Sequence, residues 1–503
     1  MGIFSIFGRK RPATIPTDRI IPMRYWDDLG YLRSIAHNFT LRFDDVLDVS
    51  KLDSSLHRLM EIGDWGQLGA RLRLNLTDSK DEGRLEYHIP ARYDKSRPPF
   101  IFTSAKYDMS IYEHPLGTKL PKCGQDQSVL SPSPAEFAPL ILGPDTPVEL
   151  GDWIYTDLPQ MVYHVVVFKD ATLLTFSSLH TFVDAIGKSS IFKAWIAVME
   201  GREEEIPPFF SFEHDPTEDL GVDYTGENYS NFGRLVSGIS LVLFGIRYMI
   251  GTFWYGKTED HALRIPKKFV EKMRDHALLE MATPGTTEKP FVSEGDIVIA
   301  WWVRTMVAAL KPSAKRAVTL MNVFNVWKLF PERYPAGGAG VVANSFFYSY
   351  TLLGADKIMQ DKSLAYVAAT NRAALMEHRT RAQVEAMTSI QRKTPFQAAP
   401  IVGASDQLFL ACSNQHMAKY YELDFSVAVL SVGIPLDNRP HALGRPSFIS
   451  NIENIRKYPT QNVARITGKD AAGDWWMIFK SRSGAWPEIH RQLMAIYETD
   501  EAS

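Results

Sequence analysis

Thr172-Leu-Leu-Thr-Phe-Ser-Ser-Leu179-His180-Thr-Phe-Val-Asp184-Ala-Ile-Gly187 changes character twice along its length. Its first part, TLLTFSSL (172–179), holds no Gly, Pro, Asn or Asp and reads as a strand. The preceding run MVYHVVVF (161–168) is rich in β-branched residues, and Lys169-Asp-Ala171 makes the turn between them. Over 184–200 the apolar positions Ile186, Ile191, Trp195, Ile196 and Met199 follow helical spacing. A histidine therefore closes a strand and an aspartate opens a helix. Strand ends in α/β proteins are where reactive side chains collect.

Acyl transfer to an alcohol is chemistry that needs such a histidine. A hydroxyl attacks poorly until a base takes its proton, and imidazole, titrating near neutrality, can return that proton to the leaving group. Asp184 has two readings at this point. It holds the imidazole as in a triad, or it pairs with a basic residue and braces the loop. The plain alternative for His180 is a core histidine packed under a strand, with a ring nitrogen bonded to a carbonyl. With 13 histidines in the chain, about one His-x-x-x-Asp match is expected by chance, so the strand-to-helix context decides.

Upstream, FTLRFDD (39–45) alternates as a strand. Ser50, with Asp53 three residues on, is expected to cap a helix whose apolar face is Leu52, Leu56, Leu59 and Met60. ARLRLNL (70–76) and RLEYHIP (84–90) flank a turn and predict a hairpin. Residues 115–150, rich in Pro and Gly, read as a long irregular connection. Residues 207–290 read as irregular apart from one apolar segment. Ser293 with Asp296 opens a helix over 293–310, and strand-like runs occupy 317–327, 345–353 and 423–433. A helical stretch at 362–392 separates the last two. ARITGKD (464–470) and WWMIFKS (475–481) form a hairpin, and Pro487 starts a final helix. The fold class is α/β with mixed sheets. The expected division is a flexible tail at 1–15, an N-terminal domain at 16–215, a crossover at 216–290 and a C-terminal domain at 291–503.

The apolar segment, FGRLVSGISLVLFGIRYMIGTFWYG (232–256), carries Arg234 and Arg247. The run between them is shorter than the ~20 residues of a spanning helix. An arginine at a helix centre costs roughly 2.5–3.5 kcal/mol on insertion. A buried or channel-lining helix is expected, a surface helix dipping into a membrane being the alternative, and no stable membrane insertion is expected. The N-terminal MGIFSIFGRKRP lacks a secretory pattern, and Ile6 stands where a myristoylation motif wants Ser or Thr.

Lys and Arg number 55 against 58 Asp and Glu, interspersed, for a net charge of −3, which argues against nucleic acid as a partner. Cysteine occurs only at Cys123 and Cys412, a scarcity that fits a reducing, cytoplasmic compartment. Aromatics at 12%, including 11 Trp, suit large cores or an apolar ligand pocket.

HTFVDAIG resembles the H-x-x-x-D-G motif of the BAHD acyltransferases, the CoA-dependent family that includes the fungal trichothecene acetyltransferases. Tyr421-Glu-Leu-Asp424-Phe425-Ser426 resembles that family's Y-x-x-D-F-G-W-G stretch at a similar spacing. FDDVLDVSKLDSSLHRLMEIGDWGQLGARLR, SEGDIVIAWWVRTM (293–306) and VVANSFF around Asn344 also look similar, so the resemblance spans most of the chain. It implies two chloramphenicol-acetyltransferase-like domains joined by a long crossover, with a channel between them. His180 would be the catalytic base, in mid-channel. Asp184 and Asp424 would support the site, and Asn344 or Ser426 would contact the oxyanion or substrate. Acetyl-CoA or another acyl-CoA would be the co-substrate, with no permanently bound cofactor and no metal. The acceptor would be a bulky apolar alcohol, such as a fungal terpenoid or polyketide, and the protein a monomer.

The chain departs from the family pattern at Ala185, where the motif has Gly, and at Asp424-Phe425-Ser426-Val427-Ala428, which lacks both glycines and the Trp. The family often places an Arg where this chain reads Met321-Asn322-Val323-Phe324, so a partner for Asp184 must come from elsewhere. Other candidates are weaker. Cys412 reads as a buried thiol, since no base adjoins it. His214 with Asp215, Glu218 and Asp219 lacks a second histidine at ligand spacing and reads as an acidic loop. GGAG (337–340) has no following Lys-Ser/Thr and reads as a turn. Two rival functions are a condensation-type catalyst using a carrier-protein thioester, against which Leu179 stands where a second histidine is usual, and a non-catalytic protein sheltering an apolar ligand.

Overall fold

The computed structural model describes all residues except 1–9, 77–82, 123–129, 255–256, 283–288, 361–362, 456–459 and 502–503. Cys123 and most of the expected N-terminal tail therefore lie outside the described residues.

Two large mixed sheets carry the molecule. The first has five strands in the order Phe448–Ile455, Ile35–Phe43, Thr172–Leu179, Val162–Val167, Ile101–Lys106. All its pairs are antiparallel except the last, which is parallel. The second has six strands in the order Phe346–Gly354, Ala317–Asn325, Leu408–Asn414, Val463–Lys469, Trp475–Arg482, Thr258–Ile265. A three-stranded sheet (Arg19–Pro22, Leu85–Ile89, Arg71–Leu74) holds the expected hairpin. Two strands cross the expected boundaries. Phe448–Ile455, from the C-terminal part, pairs with Ile35–Phe43, and Thr258–Ile265, from the crossover, edges the second sheet.

The helix Ala185–Met199 packs on the first sheet beside Val49–Leu59; Trp195 Nε1 donates to Ser55 Oγ at 2.8 Å. Its inward side chains join Phe39, Phe176 and Phe425 in the first core. Glu294–Leu310 is the corresponding buried helix of the second core, opened by Ser293 and Asp296 in the expected reciprocal cap. A third cluster, around Trp26, Phe347 and Tyr350, lies among the N-terminal segment, the crossover and the second sheet. Buried charges also join the halves. Asp44 binds Arg42 at 2.9 Å and His441 at 3.0 Å, and Asp45 binds Arg439 at 2.8 Å.

Several expectations change. Asp48, not Ser50, caps the first helix, its Oδ1 accepting from Ser50 N at 2.9 Å and Lys51 N at 3.1 Å. An aspartate two residues earlier outcompetes the serine because it reaches two free amides at once. The crossover is not irregular outside its apolar segment, since it holds the strand Thr258–Ile265 and the helix Lys267–Met281. In TEDHALRI only the last half is buried, so the strand has little alternation to show. The run 423–433 is a strand only at Val429–Val432, with turns before it, because Phe425 folds inward against Phe43 and Trp195. The stretch 362–392 is two helices, Ser363–His378 and Arg381–Gln391, the second capped by Thr380. The apolar segment forms a helix, Gly238–Trp254, that is neither buried nor channel-lining. It lies on the surface with no buried side chain.

Candidate active site

His180 stands where the central strand of the first sheet ends. Its N–H donates to Ile35 O at 2.9 Å, and its carbonyl accepts from Asn344 Nδ2 at 2.8 Å. The residue is partly exposed. Its ring lies edge-on to His37, with centroids 4.4 Å apart at 67°, and 6.0 Å from the ring of Phe346. Nδ1 is buried without a hydrogen-bond partner among the described residues. Burial lowers the affinity of His180 for a proton, while Glu453 and Asn344 oppose that shift. The net shift favours the neutral ring, the form a base requires.

Asp184 does not reach the imidazole. Oδ1 accepts from Ile186 N at 3.0 Å and Gly187 N at 2.8 Å, capping the helix, while Oδ2 accepts from Ser345 N at 3.1 Å. Its own N–H donates to Ala343 O at 3.3 Å. The carboxyl thus ties the strand-to-helix turn to a segment of the other half. Backbone amides take the place of the arginine that the sequence lacks. Lys188, one turn on, adds a favourable charge; burial pushes its own pKa down to about 8.

Asn344 is buried and committed on two sides. Its N–H donates to Asp27 Oδ1 at 2.8 Å, and its side-chain amide holds the His180 carbonyl. Asp424 and Ser426 form a separate turn, in which Asp424 Oδ1 accepts from Ser426 N at 2.9 Å and Oδ2 meets Arg445 at 3.2 Å. No recorded contact joins either residue to His180 among the described residues.

Sequence reasoning missed the groups behind His180. His37 Nδ1 lies 3.8 Å from Glu453 Oε1, and Glu453 pairs with Arg465 of the second sheet. His37 lies in IAHNFT and Glu453 in FISNIENI, and neither stretch carries a motif. Only the pairing of Ile35–Phe43 with both Thr172–Leu179 and Phe448–Ile455 brings them to the site.

A cleft of about 1440 Å³ opens between the halves. Ile186, Ser190 and Lys193 of the Asp184 helix form one wall; the 322–325 strand end, the 335–340 loop and the N-terminus of Glu294–Leu310 form others. Asp424 lines it, whereas His180, Asn344 and Ser426 do not. Lys193, Lys328 and Arg379 face this cleft without an ion pair among the described residues. The GGAG turn contributes to the rim, with Gly337 at φ 65°.

Cys412 is buried, and burial pushes its thiol up to about 12. The His214 loop is clamped by Arg24, which donates to His214 O at 2.8 Å, while Asp215 accepts from Tyr25 N at 2.7 Å. No group of three or more His, Cys, Asp or Glu fit to hold a metal occurs among the described residues.

No protein-family profile matches the chain. Acetyltransferase adrJ of Penicillium rubens is 36% identical over 98% of this chain and 99% of its own length. Acetyltransferase sphE of Aspergillus fumigatus is 34% identical over 99% of this chain and its full length, 100%. A protein of Penicillium decumbens named transcriptional regulator calD is also 34% identical, over 98% of both chains. Among solved structures, Fusarium graminearum TRI101 with coenzyme A and T-2 mycotoxin matches with a TM-score of 0.64 at 13% identity, over 93% of this chain and 96% of that one. Vinorine synthase matches with a TM-score of 0.55 at 13% identity, over 96% and 95%. At such identity these two show the fold alone. Taken with the full-length relatives, the strand-to-helix histidine and the two-sheet architecture place the chain in the BAHD acyltransferase family, in its fungal acetyl- and O-acyltransferase branch.

Proposed function

We propose that the protein transfers an acetyl group from acetyl-CoA to a hydroxyl of a bulky apolar fungal metabolite, of terpenoid or polyketide type, with His180 as general base in a ternary complex. The observation that carries this is a histidine at a strand end, its proton affinity lowered by burial, followed directly by a helix that forms one wall of a cleft lined by Lys193, Lys328 and Arg379. His180 takes the hydroxyl proton as the oxygen attacks the thioester carbonyl. The tetrahedral intermediate collapses, the carbon–sulfur bond breaks, and the thiolate of CoA takes the proton from His180. No acyl-enzyme forms.

In this reading Asp184 braces the turn, and Asn344 fixes the backbone of His180 rather than meeting the oxyanion. Asp424 supports the cleft wall. Ser426, outside the cleft lining, holds that turn. Lys193, Lys328 and Arg379 supply charges that suit the phosphates of an acyl-CoA. The cleft is large enough for such a donor. The acceptor would reach His180 from the opposite side, and the protein would work as a cytoplasmic monomer.

The test is incubation with acetyl-CoA and a panel of apolar alcohols, reading free thiol. His180→Ala should lower turnover by roughly 10² or more; undiminished turnover excludes the assignment. Lys193→Ala with Lys328→Ala should raise KM for the acyl-CoA about tenfold and leave acceptor KM unchanged. The name of calD motivates a second reading, a regulator without transfer. Thiol release that depends on both substrates and on His180 excludes it, and ligand binding with no release under any donor favours it.

A further inference from the structure

The helix Gly238–Trp254 is inverted for a surface helix of a water-soluble protein. Its inward side carries Phe244, Tyr248 and Thr252. Phe244 packs on Phe409, and Tyr248 Oη accepts from Gln461 N at 3.3 Å. Its outward side carries Ile239 (81% exposed), Val242, Ile246, Ile250, Phe253 (78%) and Trp254 (82%). Ile239, Val242, Ile246, Ile250 and Phe253 recur at intervals of three and four, Trp254 follows directly, and together they form one apolar ridge. The ridge is about 25 Å long at 1.5 Å per residue. Isolated exposed apolar residues are ordinary, but a contiguous patch of this kind marks a contact surface.

We infer that this helix lies in the plane of an anionic lipid surface, with its outer row sunk into the acyl boundary. Charge complementarity selects the occupant. Between 232 and 257 the charged side chains are Arg234, Arg247 and Lys257, with no carboxylate. Arg234 and Lys257 are exposed and flank the two ends of the helix in sequence, while Arg247 is turned back to Ser405 Oγ at 2.6 Å. A protein interface would be rimmed by polar groups and charges of both signs. Within the helix and its two flanks the charges are of one sign, Asp406 lying on the inner side with Phe244 and Arg247, and an aromatic pair, Phe253 and Trp254, closes the ridge in the manner of an interfacial anchor. No helix among the described residues is long and apolar enough to cross a membrane, so the attachment lies along one leaflet. It does not depend on the reaction proposed above.

The experiment is flotation of the full chain with phosphatidylcholine vesicles, with and without phosphatidylserine, at low and high salt. The protein should float with the anionic vesicles, less so at high salt, and weakly with neutral ones. Combined Ile239→Ser, Phe253→Ser and Trp254→Ser should cut binding by more than about tenfold. These side chains are exposed, so the melting temperature should hold. Should that variant melt early, Arg234→Glu with Lys257→Glu gives an independent arm. It leaves the ridge intact and should reduce binding to the anionic vesicles alone by at least about tenfold. Absence from both kinds of vesicle overturns the inference. So does a stable dimer that the triple serine variant dissociates without any vesicle binding, since a second copy would then be the occupant.

Discussion

At the scale of the residue, His180 and Asp184 divide the work of the motif. The carboxyl is spent on three backbone amides, so the imidazole is framed instead by His37, Phe346 and the Asn344 amide. Because burial lowers the proton affinity of His180, the neutral form that the proposed base needs persists below the ordinary imidazole value of about 6.5. A pH profile of kcat/KM should therefore stay level through neutrality and fall only on the acid side, as His180 takes up a proton. A limb centred above pH 7 that His180→Ala abolishes would contradict the environment described. Asp184→Asn keeps the Oδ1 cap but sets an N–H against the amide of Ser345. A loss of about 1–3 kcal/mol in stability, read by thermal melting, should accompany a lower kcat. The sequence made His180 and Asp184 legible because both belong to one local strand-to-helix signal. It left the role of Asp184 open, because hydrogen bonds to backbone amides leave no side-chain signature.

At the scale of the element, the Asp184 helix is held close to the other half by Gly187. A Cβ there would stand 2.8 Å from Val183 Cγ2 and 3.2 Å from Ala343 N. Gly187→Ala should push the helix off the Ala343–Ser345 segment, costing roughly 1–3 kcal/mol and slowing transfer, with both read on the same preparation. An unchanged melting point and rate would show that the contact gives way freely. Elements with clear local signals, such as Thr172–Leu179, free of turn residues, and Glu294–Leu310, with its reciprocal cap, were readable from the sequence, and so were their ends. Thr258–Ile265 and Phe448–Ile455 were not. Their neighbours in the sheets lie hundreds of residues away, and much of their pattern is polar. The apolar helix was readable as a helix, but its orientation was not, since an apolar face looks alike in sequence whether it turns toward the core or away from it.

At the scale of the molecule, the halves share strands and buried charges. Phe448–Ile455 completes the first sheet, and Arg439 and His441 meet Asp45 and Asp44. Calorimetry should show one cooperative transition, and residues 1–215 expressed alone should fail to give a soluble, folded product. Two separate transitions would show that the shared strand binds weakly. The two-sheet class was legible through the family resemblance of the motifs, whereas the cleft depends on loops from both halves and could not be drawn from any one stretch.

The late strand Phe448–Ile455 also sets a timetable for biosynthesis. At about 5–20 residues per second, the ribosome needs roughly 20–80 s after finishing the strand Ile35–Phe43 before it can supply that neighbour. Throughout that interval the nascent chain displays an open sheet edge, the kind of surface that recruits chaperones or templates aggregation. A stop codon placed just before residue 448 should therefore yield inclusion bodies rather than a shortened enzyme.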